Sequence, residues 1–222
     1  MWLLKTSIGR KLVMSVSGLF LITFLTLHGA INLVAVFSEE AYNAACDFMG
    51  TNPIVQVMVP VLALGFVVHI IYASILTVQN RRARGSSRYG TSSKTAVDWN
   101  SKNMFALGVI VLGVLVFHLT HFWQHMQLQE WMGRHSAQGY DLVVQTFSNP
   151  WIVICYLIWF GAIWYHLTHG FWSAFQTIGW NNRVWYRRLK VLGTVVATLI
   201  MLMYVITAVY FLVSNCVGVC SL

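Results

Sequence analysis

Residues 103–123, NMFALGVIVLGVLVFHLTHFW, form an apolar run that contains no Asp, Glu, Lys or Arg. About 20 apolar residues of helix cross a bilayer core about 30 Å thick, so this run predicts a transmembrane helix. Two histidines, His118 and His121, lie near its end. A polar side chain at membrane depth costs free energy unless it is paired, so both histidines are candidates for a functional role.

Four further stretches share this apolar character. The five predicted spans cover residues about 12–37, 53–78, 103–127, 150–178 and 191–215. An Asn-Pro pair opens the second and fourth spans, at Asn52 and Asn149, as is typical of helix starts. Only 9% of the 222 residues are charged, against roughly 25% in soluble domains. We therefore expect an all-α membrane protein with five transmembrane helices, in which residues 1–222 form a single domain.

The distribution of charge predicts the orientation. All but one of the 14 Lys and Arg residues fall on the side that holds the N-terminus, and the exception is Arg134. The opposite side carries most of the acidic residues, namely Glu39, Glu40, Asp47, Glu130 and Asp141. The positive-inside rule places the N-terminus in the cytoplasm and the C-terminus outside. Because topology accounts for the net charge of +8, nucleic acid is not an expected partner.

Histidines recur in four of the five predicted spans. They are His28 in the first, His69 in the second, His118 and His121 in the third, and His166 and His169 in the fourth. An interhelical hydrogen bond explains a single intramembrane histidine. Four helices that each supply at least one deep histidine indicate a shared site instead.

The depths of these histidines predict two layers. At a rise of 1.5 Å per residue, His28 and His118 lie about 25 Å from the cytoplasmic boundary, and His69 lies about 18 Å from it. An outer layer thus joins spans one and three, and an inner layer joins spans two and four. Helices one to four would then form a bundle that binds two stacked bis-histidine haems. Two axial histidines leave the iron no open position, so such haems carry electrons.

Two spans leave the choice of ligand open. In FHLTHFWQH, His118, His121 and His125 share one helix face, and depth favours His118 as the match to His28. In YHLTHG, depth slightly favours His169 over His166. Hydroxyl side chains available to bond the second imidazole nitrogen are Thr26, Ser74, Thr120, Thr168 and Ser173.

The segments around these histidines resemble a known family. Residues 15–28, SVSGLFLITFLTLH, look much like the first ligand-bearing helix of the dihaem cytochrome b membrane anchors of succinate dehydrogenases and fumarate reductases, of the five-helix, single-polypeptide type. Three further stretches look like the family's other ligand segments: PIV from Pro53 followed by His69, FHL around His118, and HLTHG from His166 to Gly170. The resemblance covers nearly all of the chain. The spacing to Gly170 favours His166 over His169.

The resemblance implies a subunit that is not itself catalytic for a dicarboxylate. Separate flavoprotein and iron–sulfur subunits on the cytoplasmic side would interconvert succinate and fumarate. This chain would anchor them in a bacterial cytoplasmic (inner) membrane, and a dimer of such heterotrimers is allowed. The chain has no GxGxxG motif and no cysteine cluster, so neither flavin nor an iron–sulfur cluster is expected within it.

The resemblance also implies the cofactors and their ligands. The chain would bind two haem b groups and exchange electrons with a membrane quinone, menaquinone. His28 and His118 would hold the outer haem, and His69 and His166 the inner haem. The neighbouring histidines His121 and His169 are the reserve ligands.

Quinone chemistry at the outer side needs a group that gives or takes protons. The loop after the first span offers Glu39, Glu40 and Asp47, and Asp47 is the leading candidate because it lies six residues before the second span. Some members of the family carry an acidic residue two positions before the fourth-helix ligand, where this chain has Trp164. A proton path through that position is therefore not expected.

Two other interpretations compete for a membrane chain with deep histidines. A cytochrome b anchor of a hydrogenase or formate dehydrogenase would also bind haem, but those proteins take two ligands from one helix. A proton-coupled transporter would use the histidines as a relay. No Asp or Glu lies inside any predicted span and five spans do not divide into equal halves, which disfavours the transporter.

Overall fold

The computed structural model describes residues 6–84, 99–180 and 182–220, and no strand occurs among them. Three of the basic residues that set the predicted orientation, Lys5, Arg88 and Lys94, lie outside the described residues. The elements in chain order are α1 (Ser7–Val34), α2 (Glu39–Thr51), α3 (Pro53–Arg84), α4 (Trp99–His118), a π-helical turn (Leu119–Trp123), α5 (Gln127–Trp131), α6 (Gly139–Phe147), α7 (Pro150–Thr177) and α8 (Arg183–Cys220).

Five of the described helices are long and apolar enough to cross a membrane. These segments are Ser7–Val34, Pro53–Ala83, Lys102–Trp123, Pro150–Thr177 and Arg183–Cys216. The prediction of an all-α protein with five candidate membrane helices is confirmed. The histidines of interest fall on the first four, and α8 carries none.

Cap residues, rather than hydropathy, determine where these helices begin. α1 begins at Ser7, ahead of the predicted residue 12, because Thr6 Oγ1 accepts a hydrogen bond from the Gly9 N–H at 3.0 Å. α8 begins at Arg183, ahead of the predicted residue 191, because Asn182 Oδ1 accepts from the Trp185 N–H at 2.9 Å. Backbone hydrogen bonds continue past the apolar stretch, so helix and membrane span have different ends.

The two Asn-Pro pairs act as predicted. Asn52 Oδ1 accepts from the Ile54 N–H at 2.9 Å at the start of α3, and Asn149 Oδ1 accepts from the Trp151 N–H at 2.9 Å at the start of α7. In each case the proline follows the cap, where its missing N–H costs nothing.

Two connections contain helices that the sequence interpretation treated only as short links. Ser38 Oγ caps α2 by accepting from the Ala41 N–H at 3.1 Å, and Glu39 and Glu40 occupy the first turn, where the helix dipole favours negative charge. α2 buries Tyr42 in the core, and α6 buries Val143 and other apolar side chains there. These helices therefore form a packed cover over one end of the membrane helices.

We call that end the acidic end, because it carries Glu39, Asp47 and Asp141. We call the opposite end, which carries Arg10, Arg81 and Arg183, the basic end.

α1 and α7 pack on each other, α3 packs on α1, and α4 packs on α7, while α3 and α4 make few contacts. These four helices form a ring, and α8 lies outside it against α7 and α1. Most of the buried core belongs to α7 and α8, so one side of the ring is a closely packed helix interface.

Candidate functional site

Two pairs of histidine rings lie opposite each other inside the ring of helices α1, α3, α4 and α7. The ring centroids of His28 and His118 are 5.9 Å apart, at an interplanar angle of 83°. Those of His69 and His166 are 6.3 Å apart, at 64°. The pairs join α1 to α4 and α3 to α7, which face each other across the ring rather than pack as neighbours. The structure thus brings together the same residues that were paired from the sequence.

The two pairs occupy different depths. On α1 the inner pair is contacted at Gly18 and the outer pair is reached at His28, ten residues later, or about 15 Å along the helix. On α4 the same ten-residue step separates Gly108, which contacts His166, from His118. The rings therefore lie in two layers, and the inner layer is the one nearer the basic end.

Small side chains line the inner pair. Ser17 Oγ lies 3.2 Å from His69 Nδ1. A Cβ added to Gly18 would stand 3.3 Å from His69 Cε1, and one added to Gly108 would stand 3.6 Å from His166 Cε1. His166 Nδ1 is buried and has no hydrogen-bond partner among the described residues, although buried polar atoms normally have one. The rings are thus flanked by bare backbone on α1 and α4.

Aromatic side chains surround the outer pair. Tyr156, which is 2% exposed, places its hydroxyl 3.4 Å from His118 Nδ1, and the Trp159 ring centroid lies 5.8 Å from that of His118. Asn32 Nδ2 donates to the His28 carbonyl at 2.7 Å and lies 3.4 Å from His28 Nε2. Both imidazoles therefore have an ordered neighbour on a nitrogen in otherwise apolar surroundings.

The reserve histidines have other ring partners. The π-helical turn follows His118 directly, and π-helical turns are frequent at functional sites. His121 Nδ1 lies 3.5 Å from the Tyr156 hydroxyl, and its ring packs 4.1 Å from that of Phe117. The ring opposite His28 is that of His118. The sequence alone left these two histidines open, and the geometry favours His118.

On α7 the geometry favours the residue that the resemblance selected over the one that depth favoured. The His169 ring packs on Trp172 at a centroid distance of 4.9 Å. The ring opposite His69 is that of His166. His125 and His135 are exposed near the acidic end, and His135 Nδ1 lies 2.9 Å from the Ser136 carbonyl.

Two of the hydroxyl groups expected to support the imidazoles have other partners. Thr26 Oγ1 donates to the Ile22 carbonyl at 2.9 Å, and Thr120 Oγ1 donates to the Phe117 carbonyl at 2.7 Å. These hydroxyls are satisfied within their own helices. Ser17 and Tyr156 reach the imidazoles instead, from helices far away in the sequence. Sequence reasoning missed both residues, because no local spacing indicates which hydroxyl faces a histidine on another helix.

The two ring pairs fit haem iron as a ligand set. A metal ion bonded to two opposed imidazoles at about 2 Å each requires ring centroids about 6 Å apart, as both pairs have. Neutral imidazoles are ordinary axial ligands of haem. His166 Nδ1 has no hydrogen-bond partner among the described residues, and Gly18 and Gly108 present no side chain to the two rings. Within the described ranges, no group of three or more His, Cys, Asp or Glu could hold a metal ion.

Asp47 lies away from the ring pairs. It is exposed on α2 and lines an open groove at the acidic end with Glu39, Glu40, Asn43 and Gln138. Its backbone carbonyl accepts from Thr51 Oγ1 at 2.7 Å.

Trp164, at the position where some family members carry an acid, connects two helices. Its Nε1–H donates to Thr198 Oγ1 of α8 at 2.9 Å. The position two residues before His166 therefore helps to hold α8 against α7.

A buried phenol connects α2 to the outer pair, and a half-buried thiol lies on the same helix. The Tyr42 hydroxyl donates to Asn32 Oδ1 at 3.2 Å, and Asn32 in turn contacts His28. Burial raises the pKa of Tyr42, and it also raises the pKa of the Cys46 thiol. Both groups are thus neutral at physiological pH, as a packed contact requires.

No protein-family description, curated protein or solved structure matches this chain. The site is therefore interpreted from its own geometry. Two opposed neutral imidazoles in each of two layers, with no carboxylate between them, can hold one planar metal-centred group per layer.

Proposed function

We propose that this chain is the membrane-anchor dihaem cytochrome b subunit of a succinate:quinone oxidoreductase, either a succinate dehydrogenase or a fumarate reductase. The observation that carries the proposal is the pair of opposed imidazoles in each layer, at 5.9 Å for His28 with His118 and 6.3 Å for His69 with His166. Each pair takes one ligand from each of two facing helices, as a bis-histidine haem in a four-helix bundle requires.

His28 and His118 would hold the outer haem, and His69 and His166 the inner haem. A bound bis-histidine haem supplies reversible one-electron transfer. The protein's contribution is to fix the imidazoles and to exclude water. Ser17 and Tyr156 fix one imidazole in each layer through its Nδ1, and the apolar helices around the pairs keep the interior dry.

The soluble partners belong at the basic end. The inner pair is the layer nearer this end, so an iron–sulfur subunit docked there would exchange electrons with it first. A flavoprotein subunit bound to the iron–sulfur subunit would handle the dicarboxylate. Arg81 lies over the Phe105 ring at 5.4 Å, which joins α3 to α4 beneath this surface.

The quinone, which we take to be menaquinone, would react at the acidic end near the outer pair. Asp47 is the proposed proton-exchanging group, because it lies exposed in the open groove formed by α2 and Gln138. Tyr42 and Asn32 link this helix to His28. The chain itself would transform no dicarboxylate.

The five membrane helices and the charge distribution support a location in a bacterial cytoplasmic membrane. The N-terminus would lie in the cytoplasm and the C-terminus outside. This orientation places the partner subunits in the cytoplasm and the quinone reaction toward the outer face.

Substrate-dependent redox spectroscopy of the complex tests this proposal. In membranes that contain the full complex, succinate should reduce b-type haem, and fumarate should reoxidise haem first reduced by dithionite. Formate and hydrogen serve as comparison reductants. Reduction by formate or hydrogen but not by succinate would assign the chain to another dehydrogenase. A complex without haem would favour the alternative in which the histidines form the proton relay of a transporter.

A further inference from the structure

We propose that Ser17 is the positioning residue of the inner layer: together with the Met14 carbonyl on α1, it holds His69 as the tautomer protonated on Nδ1. The consequence for haem rests on the proposed function, whereas the tautomer itself does not. Ser17 was not singled out from the sequence as a partner of any histidine.

The hydrogen bonds determine which atom donates. Ser17 Oγ donates its single proton to the Met14 carbonyl at 3.1 Å. The same oxygen lies 3.2 Å from His69 Nδ1, and with its proton on the Met14 carbonyl it accepts from that nitrogen. This arrangement requires a proton on Nδ1, which leaves the Nε2 lone pair free.

The local packing holds this contact in place. Ser17 is 9% exposed, and α1 packs closely on α3 at this depth. Gly18, the next residue, allows the approach, because a Cβ there would already stand 3.3 Å from the His69 ring. A buried hydroxyl in an apolar interior has no water to bond, so its two partners on α1 and α3 are strongly fixed.

The two histidines of the inner pair differ in this respect. His69 has an acceptor for its Nδ1–H, whereas His166 Nδ1 has no hydrogen-bond partner among the described residues. Donation from Nδ1–H makes an imidazole a stronger electron donor at Nε2. A stronger donor stabilises the ferric state, so Ser17 would lower the reduction potential of an inner haem bound by His69.

The first test reads the tautomer without using activity. Long-range proton–nitrogen correlation spectra of the full chain, labelled with nitrogen-15 histidine and kept reduced, should show His69 protonated on Nδ1. His69→Ala identifies its signals. The signature includes the position of the His69 Nδ1–H resonance. Ser17→Thr should keep that position, and Ser17→Ala should shift it, because the Nδ1–H loses its acceptor. Thr207→Ala is the control, because Thr207 is also buried and its hydroxyl donates only to the Met203 carbonyl in its own helix, at 2.9 Å.

The second test is a redox titration of the haems. Ser17→Ala should shift the oxidised-to-reduced equilibrium of the inner haem about fivefold toward the reduced state, the factor expected for one ordinary hydrogen bond. This corresponds to a rise of about 40 mV, at 59 mV per tenfold change for one electron. The outer haem, and both haems in Thr207→Ala and Ser17→Thr, should keep their potentials.

The outcomes separate the two proposals. A chain that binds no haem but shows the Nδ1–H tautomer overturns the proposed function and supports the role of Ser17. An unchanged tautomer signature and unchanged potentials in Ser17→Ala would overturn the role of Ser17, as would an equal shift in Thr207→Ala.

Discussion

The imidazole rings of His69 and His166 lie 6.3 Å apart, although the helices that carry them, α3 and α7, do not pack as neighbours. The contact across the ring of helices is thus made by side chains alone. Ordinary packing would place larger apolar residues around the two rings. Glycine on both flanking helices and a buried His166 nitrogen without a hydrogen-bond partner among the described residues are the features on which the proposed flat ligand rests.

Gly18→Ala should loosen the inner pair. The new Cβ would stand 3.3 Å from His69 Cε1, so the ring must move by a few tenths of an ångström. Overpacking of this kind costs about 1–3 kcal/mol, offset in part by about 1 kcal/mol of improved helix propensity. We expect a lower thermal midpoint in detergent and a reduced content of the inner haem.

Gly113→Ala is the matched control for that substitution. Gly113 also lies within a membrane helix, but a Cβ there would meet nothing within 4 Å. It should leave the midpoint unchanged or raise it slightly. Equal behaviour of the two variants would show that Gly18 is not needed for the close approach of α1.

Tyr156→Phe should affect the outer layer without removing a haem. The substitution keeps the buried ring and removes the hydroxyl that lies 3.4 Å from His118 Nδ1. Loss of one buried hydrogen bond costs about 1 kcal/mol. The midpoint potential of the outer haem should rise, because His118 becomes a weaker donor.

Tyr204→Phe separates this effect from the general loss of a buried hydroxyl. The Tyr204 hydroxyl donates to the Leu25 carbonyl at 2.7 Å rather than to an imidazole. Tyr204→Phe should lower the free energy of unfolding by a similar amount and leave the midpoint potential of the outer haem unchanged. A potential shift in Tyr204→Phe that matches Tyr156→Phe would contradict the assigned role of Tyr156.

The five long apolar helices and the pair of His28 with His118 were predictable from the sequence for physical reasons, whereas depth alone favoured His169 over His166 as the partner of His69. Long apolar runs leave the backbone no choice but helix within a bilayer, and Asn52 and Asn149 act as caps through local contacts that depend on neighbouring residues only. The pairing of His28 with His118 followed from depth, because a straight helix converts residue number into height.

Features that depend on contacts between distant segments were missed. Ser17 and His69 are 52 residues apart, and no pattern within either helix shows that they meet. The helix α2 was read as a link, because its 13 residues are too few to cross a membrane and its N-cap, Ser38, gives a signal too common to stand alone. The π-helical turn after His118 depends on tertiary packing, and it changes how His121 is placed relative to His118.

Asp47→Asn should slow quinol oxidation or quinone reduction while both haems are retained. The substitution keeps the size of the side chain and removes its capacity to exchange a proton. Turnover with a menaquinol analogue, measured beside the haem spectrum, reports the two properties separately. Asp141→Asn, an exposed acid on α6 at the same end, is the control. A turnover rate equal to that of the control would eliminate Asp47 as the proton-exchanging group.

The burial of Tyr42 and the partial burial of Cys46 on α2 predict a loss of stability at alkaline pH. Burial raises the pKa of Cys46, so the folded protein favours the neutral thiol over the thiolate. The resulting stabilisation is complete below the unfolded pKa of about 8.5 and is lost as the pH rises through the higher folded value. Tyr42 acts in the same direction, because burial raises its pKa as well.

Thermal unfolding between pH 7 and about pH 10 would measure this dependence. The free energy of unfolding should fall toward the alkaline end, and Cys46→Ala should flatten part of the slope. Cys155→Ala, at an exposed position, should leave the slope as it is. A stability that rises with pH over this range would mean that Tyr42 and Cys46 are not buried as described.

The most direct test is the haem content of the purified full chain, measured by the pyridine haemochrome assay with a reduced-minus-oxidised spectrum. The account predicts two b-type haems per chain, one haem in each of His28→Ala, His69→Ala, His118→Ala and His166→Ala, and two in His121→Ala, His169→Ala and the exposed control His135→Ala. A folded, partner-bound chain without haem would contradict the account.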